Sequence, residues 1–261
     1  MPKKPVIAVQ LHTVRDFIKT PEEVVKALAR LKKLGYDALE GNPACVEPAE
    51  FRKMLLDAGI ENVAAGTGLD ELRNDFGNAV KLCHDLGVTY TMIAYLWIKP
   101  YVTQADFKKV AKEIDRYAAR LLKEGITLQY HNHMHEFEKV GVKNGAGGKM
   151  ILDMLFDNAP NLQGKLDFGW VVRGGHDPVF WAKKMKGRLD QVHIKDWGVV
   201  ENEPVWRAIG EGGIQWADVF KACKASGTTC YIVEQDACPI TKDPFLSLAI
   251  SRKNIKALGL G

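Results

Sequence analysis

The run DQVHIKDW (190–197) reads as a β-strand that ends in reactive groups. Val192 and Ile194 alternate with Gln191, His193 and Lys195, and a period of two puts the polar set on one face and the apolar set on the other. Three further runs follow the same pattern: LQYHNH (128–133), GKLDFGW (164–170) and YIVEQD (231–236). In these, Gln129 and His131, Lys165 and Asp167, and Glu234 stand opposite Leu128, Leu166 and Val233. Two imidazoles and two carboxylates, delivered one per strand at the same end of successive strands, make a ligand set for one divalent cation.

Outward from these runs the chain repeats one unit: a short apolar run, a loop, a helical pattern, then glycine. The first helix opens at Thr20, the N-cap, with Pro21 at the first helical position and Glu23 closing a capping box, and it stops at Gly35. Strand-like runs lie at 6–11, 38–41, 62–65, 89–95, 127–132, 163–168, 191–195 and 231–235. Helical patterns lie at 47–58, 71–86, 104–123, 149–157, 178–186, 216–225 and 245–257, with Gly59, Gly87, Gly125 and Gly227 at C-cap positions. About eight βα units spaced by roughly 30 residues predict an α/β fold, a single (β/α)8 TIM barrel over 1–261, in preference to an open doubly wound sheet. No linker divides the chain, and VKNGAGGKM (142–150) is expected to be a flexible insertion before a helix. In such barrels the reactive groups gather on the loops at the C-terminal face, where these four residues fall.

With 261 residues, 46% hydrophobic and 26% charged, the chain can bury a full core. Its net charge of +4, from 36 basic and 32 acidic side chains, lacks the clustered basic stripe of a nucleic-acid binder, so no such partner is expected. Cys45, Cys83, Cys223, Cys230 and Cys238 are odd in number and lack short C-x-x-C spacing, which reads as buried reduced thiols in a cytoplasmic protein. The opening apolar run breaks at Gln10 and His12, too soon for a secretory or membrane segment, and reads as a first strand. No membrane partner is expected; a homo-oligomer stays open.

Each candidate residue also has a plainer reading. A lone His or Asp at a strand end is more often a hydrogen-bonded or capping residue, but four such groups at one barrel mouth are costly to desolvate without a cation. The expected ligands are therefore His131, Asp167, His193 and Glu234, around one Mn2+, Co2+ or Zn2+ ion. In the alternating triple His131, His133 and His135, the first is the expected ligand and His133 a substrate contact, with Glu136 a rival that could ligate or act as a base. Lys195 shares a face with His193, and either exchanges a proton with a substrate oxygen or pairs with Asp196 or Glu211. Glu234 can both hold a cation and move a proton on a carbon beside a carbonyl, so the expected catalytic groups are Glu234, Lys195 and Glu136. Trp97, Trp170, Trp197 and Trp206 follow strand ends or lie in the loops after them, where flat rings pack on a sugar's C–H face or simply on the barrel rim. The expected substrate contacts are Gln10, His12, His133, Trp97, Trp170 and Arg207. Gly210-Glu211-Gly212-Gly213 carries no phosphate-loop pattern and reads as the loop before a helix. Arg173 and Arg207 are too few for a phosphate clamp, which favours an unphosphorylated substrate.

The series YHNH (130–133), LDFGW (166–170), HIKDW (193–197), GEGGIQW (210–216) and VEQD (233–236), with QLHTVRD (10–16), resembles the xylose-isomerase-like TIM barrels. That superfamily comprises sugar phosphate isomerases/epimerases, includes inosose dehydratases and is distantly related to endonuclease IV. The resemblance covers nearly the whole chain. It implies metal ligands at the ends of strands five to eight, commonly Glu, Asp, His and Glu, which match Asp167, His193 and Glu234. On the fifth strand this chain has His131 where many epimerases have Glu, similar to the inosose-dehydratase branch. The family's epimerases use two opposed metal-bound glutamates, and here only Glu234 is evident. Trp170 stands where the D-x-x-H pattern of epimerases and nucleases has histidine. GNPAC (41–45) and AAGTG (64–68) also lack the histidines of a trinuclear nuclease site, which speaks against DNA repair.

The expected function is a metal-dependent sugar or keto-sugar isomerase/epimerase working through an enediolate intermediate. The alternatives are a dehydratase/lyase on a keto-polyol or 3-keto-sugar, and a non-catalytic sugar-binding barrel.

Overall fold

Alternation of small or polar with branched apolar residues builds a ring of strands, and the capped amphipathic patterns between them build its outer layer. The computed structural model describes residues 4–98, 101–143 and 146–260. In chain order its elements are β1 (Val6–Gln10), α1 (Pro21–Lys33), β2 (Ala38–Glu40), α2 (Pro48–Ala58), β3 (Glu61–Asn62), β4 (Ala65–Thr67), α3 (Leu69–Asn74), α4 (Phe76–Leu86), β5 (Tyr90–Ile93), α5 (Gln104–Lys123) and β6 (Thr127–His131). There follow β7 (Lys139–Lys143), β8 (Ala146–Met150), α6 (Ile151–Asp157), β9 (Gln163–Lys165), α7 (Phe168–Arg173), α8 (Pro178–Lys184), β10 (Gln191–Ile194), β11 (Asp196–Val200), β12 (Glu203–Arg207), α9 (Trp216–Ser226), β13 (Cys230–Val233) and α10 (Pro244–Ala257).

Strands β10, β13, β1, β2 and β3 pair in parallel, as do β4, β5, β6 and β9. Two seams close the ring. At one, Val63 N donates to Leu39 O at 2.8 Å and Gly41 N to Ala64 O at 2.9 Å, so β3 and β4 act as one strand broken at residues 63 and 64. At the other, His193 N donates to Leu166 O at 2.9 Å beside a parallel bridge between Asp167 and His193. The barrel positions are therefore β1, β2, β3/β4, β5, β6, β9, β10 and β13, the (β/α)8 barrel read from the sequence.

The two faces of the strands do different work. Val9, Leu39, Leu128, Tyr130, Leu166, Val192 and Val233 point outward into one large core beneath the helices. Each such side chain contributes about 1.5–3 kcal/mol, so this layer supports the fold. Helix α1 shows how a helix joins it: Val24, Ala27, Leu28 and Leu31 are buried at helical spacing, and Thr20 Oγ1 accepts from Glu23 N at 3.3 Å. Inside the ring lies a small apolar plug of Ala8, Ala38, Cys230 and Ile232. Two residues further along their strands, Gln10, Glu40 and Glu234 lie on the same face at the C-terminal end, where His131, Asp167 and His193 are also buried.

Some local structure differs from the sequence expectation. Within the stretch expected to be a flexible insertion, the described residues are paired: β7 and β8 run antiparallel to each other, and residues 144 and 145 lie outside the described set. The helix expected at 149–157 accordingly starts at Ile151. The pattern at 71–86 is two helices, because Asp75 leaves helical geometry and its side chain caps the second by accepting from Asn78 N at 2.9 Å. Strands β11 and β12 form a hairpin, turned by Glu201 and Asn202, both with positive φ (52° and 67°). Among the described residues no helix is long and apolar enough to cross a membrane.

Candidate active site

His131, Asp167, His193 and Glu234, one from each of the last four barrel positions, converge with ligand atoms within 4.8 Å of one another. All four are buried. His131 Nε2 lies 3.5 Å from Asp167 Oδ2 and 3.7 Å from Glu234 Oε2, and His193 Nδ1 lies 2.9 Å from Glu234 Oε2. His131 is turned by a contact between its Nδ1 and Ala94 O at 3.3 Å. Asp167 caps α7, its Oδ1 accepting from Trp170 N at 2.9 Å, which leaves Oδ2 for the centre. Among the described residues neither His131 Nε2 nor Asp167 Oδ2 makes a well-directed hydrogen bond, although both are shielded from water; they are held only by ion-pair contacts, Asp167 Oδ2 with the Lys195 ammonium and His131 Nε2 with Asp167 and Glu234. Buried polar atoms without directed hydrogen bonds are costly, and a divalent cation satisfies a borderline nitrogen and oxygen set of this kind. The residues therefore fit such an ion.

The charges around this centre are strongly coupled. Burial pushes Glu234 and Asp167 up, but the Lys195 ammonium together with the neighbouring imidazoles, His193 and His131 for Glu234 and His131 for Asp167, outweighs it and holds both carboxylates below their ordinary range. His131 is lowered by burial and raised more by Asp167 and Glu234, to about 9. Lys195 Nζ lies 3.0 Å from Asp167 Oδ2, 3.0 Å from Glu234 Oε2 and 2.9 Å from Asp236 Oδ2. Its partners are thus not Asp196 or Glu211. Asp196 instead accepts from Gly210 N, Gly212 N and Trp216 Nε1 at 2.8, 3.1 and 2.8 Å, which ties down the loop before α9. Those glycine amides are used internally, in keeping with a loop that holds no phosphate.

The other expected site residues divide. His133 lies against the centre, its ring 4.9 Å from His131 and 5.1 Å from Trp170, and burial together with His131 lowers its pKa to about 4. His133 Nδ1 and Trp170 Nε1 are buried and have no hydrogen-bond partner among the described residues. Glu136 is outside the ligand group: Tyr130 OH and His133 N donate to it, each at 2.8 Å, and His135 Nε2 lies 3.0 Å away. Gln10 has both ends of its amide engaged, donating to Glu40 Oε1 at 2.8 Å and accepting from His12 N at 3.0 Å. His12 is exposed and lines, with Asn42, an open cleft of about 540 Å³. Trp97 is exposed near Tyr95, ring centroids 6.1 Å apart. Arg207 lies on β12, 3.9 Å from Glu211. Trp206 joins Trp170 and Trp197, at 4.8 and 4.7 Å, into an aromatic wall beneath the Arg173 guanidinium.

One buried group escaped the sequence reading. Glu40, at the end of β2, accepts from His193 Nε2 at 2.6 Å and pairs with Lys165. The available signal was period two in ALEG, which puts Glu40 on the inner face with Ala38.

An eightfold parallel βα barrel with imidazoles and carboxylates converging at its C-terminal mouth defines the class of molecule. The chain belongs to the xylose isomerase-like TIM barrel family, whose sequence profile matches residues 28–248. Inosose dehydratase 1 of Bacillus cereus is 26% identical over 174 residues, covering 60% of this chain and 56% of that protein, so the match spans about half of the relative's length. A sugar phosphate isomerase/epimerase from Parabacteroides distasonis superposes with a TM-score of 0.84 at 22% identity, covering 98% of this chain and 94% of the other. The IolI protein, solved with a binding zinc atom, superposes with a TM-score of 0.72 at 16% identity, covering 97% of this chain and 98% of that one. At these identities the superpositions show the fold.

Proposed function

We propose that this chain is a divalent-metal-dependent enzyme that moves a proton on a carbon beside the carbonyl of an unphosphorylated keto-sugar or keto-polyol, with elimination of water as the outcome. The observation that carries the reading is the convergence of His131, Asp167, His193 and Glu234, all buried, with ligand atoms within 4.8 Å of one another. Those four side chains would hold the ion, which when bound supplies Lewis acidity to a substrate carbonyl. Glu234, the carboxylate shared by His193 and Lys195, takes the proton from carbon. Lys195, kept charged by Asp167, Glu234 and Asp236, is the proton donor for the departing hydroxyl. His133 Nδ1 and Trp170 Nε1 receive substrate hydroxyls, and the Trp170–Trp206–Trp197 wall packs on the ring's C–H face.

Single-carboxylate chemistry is favoured because Glu136 is committed to Tyr130, His133 and His135, and among the described residues Glu234 is the one glutamate of the ligand group. Epimerisation needs a base on each face; elimination needs one. The likeness to an inosose dehydratase supports the same choice. Isomerisation is the second reading, since one base can also return its proton to the neighbouring carbon of an enediolate. Incubating the metal-loaded protein with a panel of keto-sugars and inososes in deuterated water tests this. An enone chromophore with loss of water supports elimination; deuterium at carbon with unchanged composition supports isomerisation or epimerisation. Turnover that is untouched by chelation would contradict both.

A further inference from the structure

Glu40 and Lys165 form a fully buried ion pair inside the barrel, on opposite sides of the ring at β2 and β9. Taking both charges out of water is costly, and the plug of Ala8, Ala38, Cys230 and Ile232 beside them shows that this interior accepts small apolar side chains. The pair also does more than neutralise itself. Glu40 Oε1 accepts from Gln10 Nε2 at 2.8 Å and faces His193 Nε2 at 2.6 Å, while the Lys165 ammonium is on Oε2. Both carboxylate oxygens are occupied from three strands, so the carboxylate has one orientation.

That orientation decides which nitrogen His193 can offer. An imidazole whose Nε2–H is given to a carboxylate keeps only Nδ1 for a cation, and Nδ1 lies 2.9 Å from Glu234 Oε2, inside the ligand group. We infer that Glu40 is a positioning residue of the metal centre: it fixes the ring of His193 and its Nε2–H form, so that Nδ1 is the ligand atom, while Lys165 and Gln10 hold the carboxylate in place. Lys165 balances its charge, so Glu40 orients the ligand without adding net negative charge to the site. The inference rests on the reading that the four side chains hold a cation.

The test uses stripped protein reloaded with Zn2+, read by chelator competition and by 1H–15N spectra of the histidine rings. Glu40→Gln alone leaves Lys165 uncompensated, so the informative variant is the charge-balanced pair Glu40→Gln with Lys165→Met. The expected result is Zn2+ affinity lower by about 10–100-fold with the circular dichroism of the parent. In the Zn2+-loaded parent, which needs no substitution, His193 should bind through Nδ1 and show a protected Nε2–H, lost in the double variant. A folded double variant with parental affinity, or a parent whose His193 binds through Nε2, overturns the role of Glu40 alone. A parent that takes up no Zn2+ overturns the metal centre and this inference together.

Discussion

At the residue scale the protein places charge where burial opposes it and then compensates each group with named partners. Glu40 illustrates the sign. Burial raises its carboxyl, Lys165 and His193 outweigh that, and the pKa falls from 4.5 to about 2. A carboxyl depressed in the folded state stabilises the protein fully above its unfolded value and loses that contribution as pH falls through its folded value. Metal-free protein should therefore lose stability between pH 4.5 and about 2, and the Glu40→Gln/Lys165→Met pair should lose less over that window in urea unfolding. Equal losses in parent and variant would contradict the assignment. Glu40→Gln alone should cost about 3–5 kcal/mol, because it strands the Lys165 ammonium in the interior. His131 gives an independent check. Raised to about 9, it is protonated at pH 7, so cation uptake must displace its proton, and calorimetry in buffers of different ionisation enthalpy should register proton release.

At the scale of elements, the candidate ligand set depends on α7 lying directly on the end of β10. A Cβ on Gly169 would stand 2.6 Å from Lys195 O and 2.8 Å from Lys195 Cβ, so only glycine permits that approach. Gly169→Ala should cost about 1–3 kcal/mol by overpacking and weaken cation binding, since α7 begins at Asp167. Gly66→Ala, where nothing lies within 4 Å, is the matched control and should change neither. Strands β11 and β12 carry Trp197 and Trp206 to the aromatic wall, so Trp206→Ala should weaken substrate binding at least several-fold while leaving metal content unchanged. The barrel strands were legible because branched apolar residues recur every second position, and the four candidate ligands because each ends such a run. The β11–β12 hairpin was not, since its turn uses Glu201 and Asn202 in left-handed geometry without a glycine to mark it. Helix α7 was hidden because its capping residue, Asp167, also reads as the end of a strand. Glu40 was hidden because its partners Gln10 and Lys165 lie 30 and 125 residues away, where no spacing rule reaches.

At the scale of the whole molecule, the outer apolar layer carries stability and the polar interior holds the candidate ligand set. One continuous core under the helices leads us to expect that the chain behaves as a single domain and unfolds in one cooperative thermal transition, with coincident loss of far-ultraviolet dichroism and tryptophan fluorescence. A cation that binds only the folded barrel should add about 2.7 kcal/mol at 100 times its Kd, which raises the midpoint by several degrees. The central claim is the ligand set itself, and elemental analysis of the purified protein beside Asp167→Ala and Glu234→Ala reaches it most directly. The account predicts about one Mn, Co, Zn or similar ion per chain, lost from both variants while they stay folded. Metal-free parent protein that stays folded and refuses added cations would contradict it.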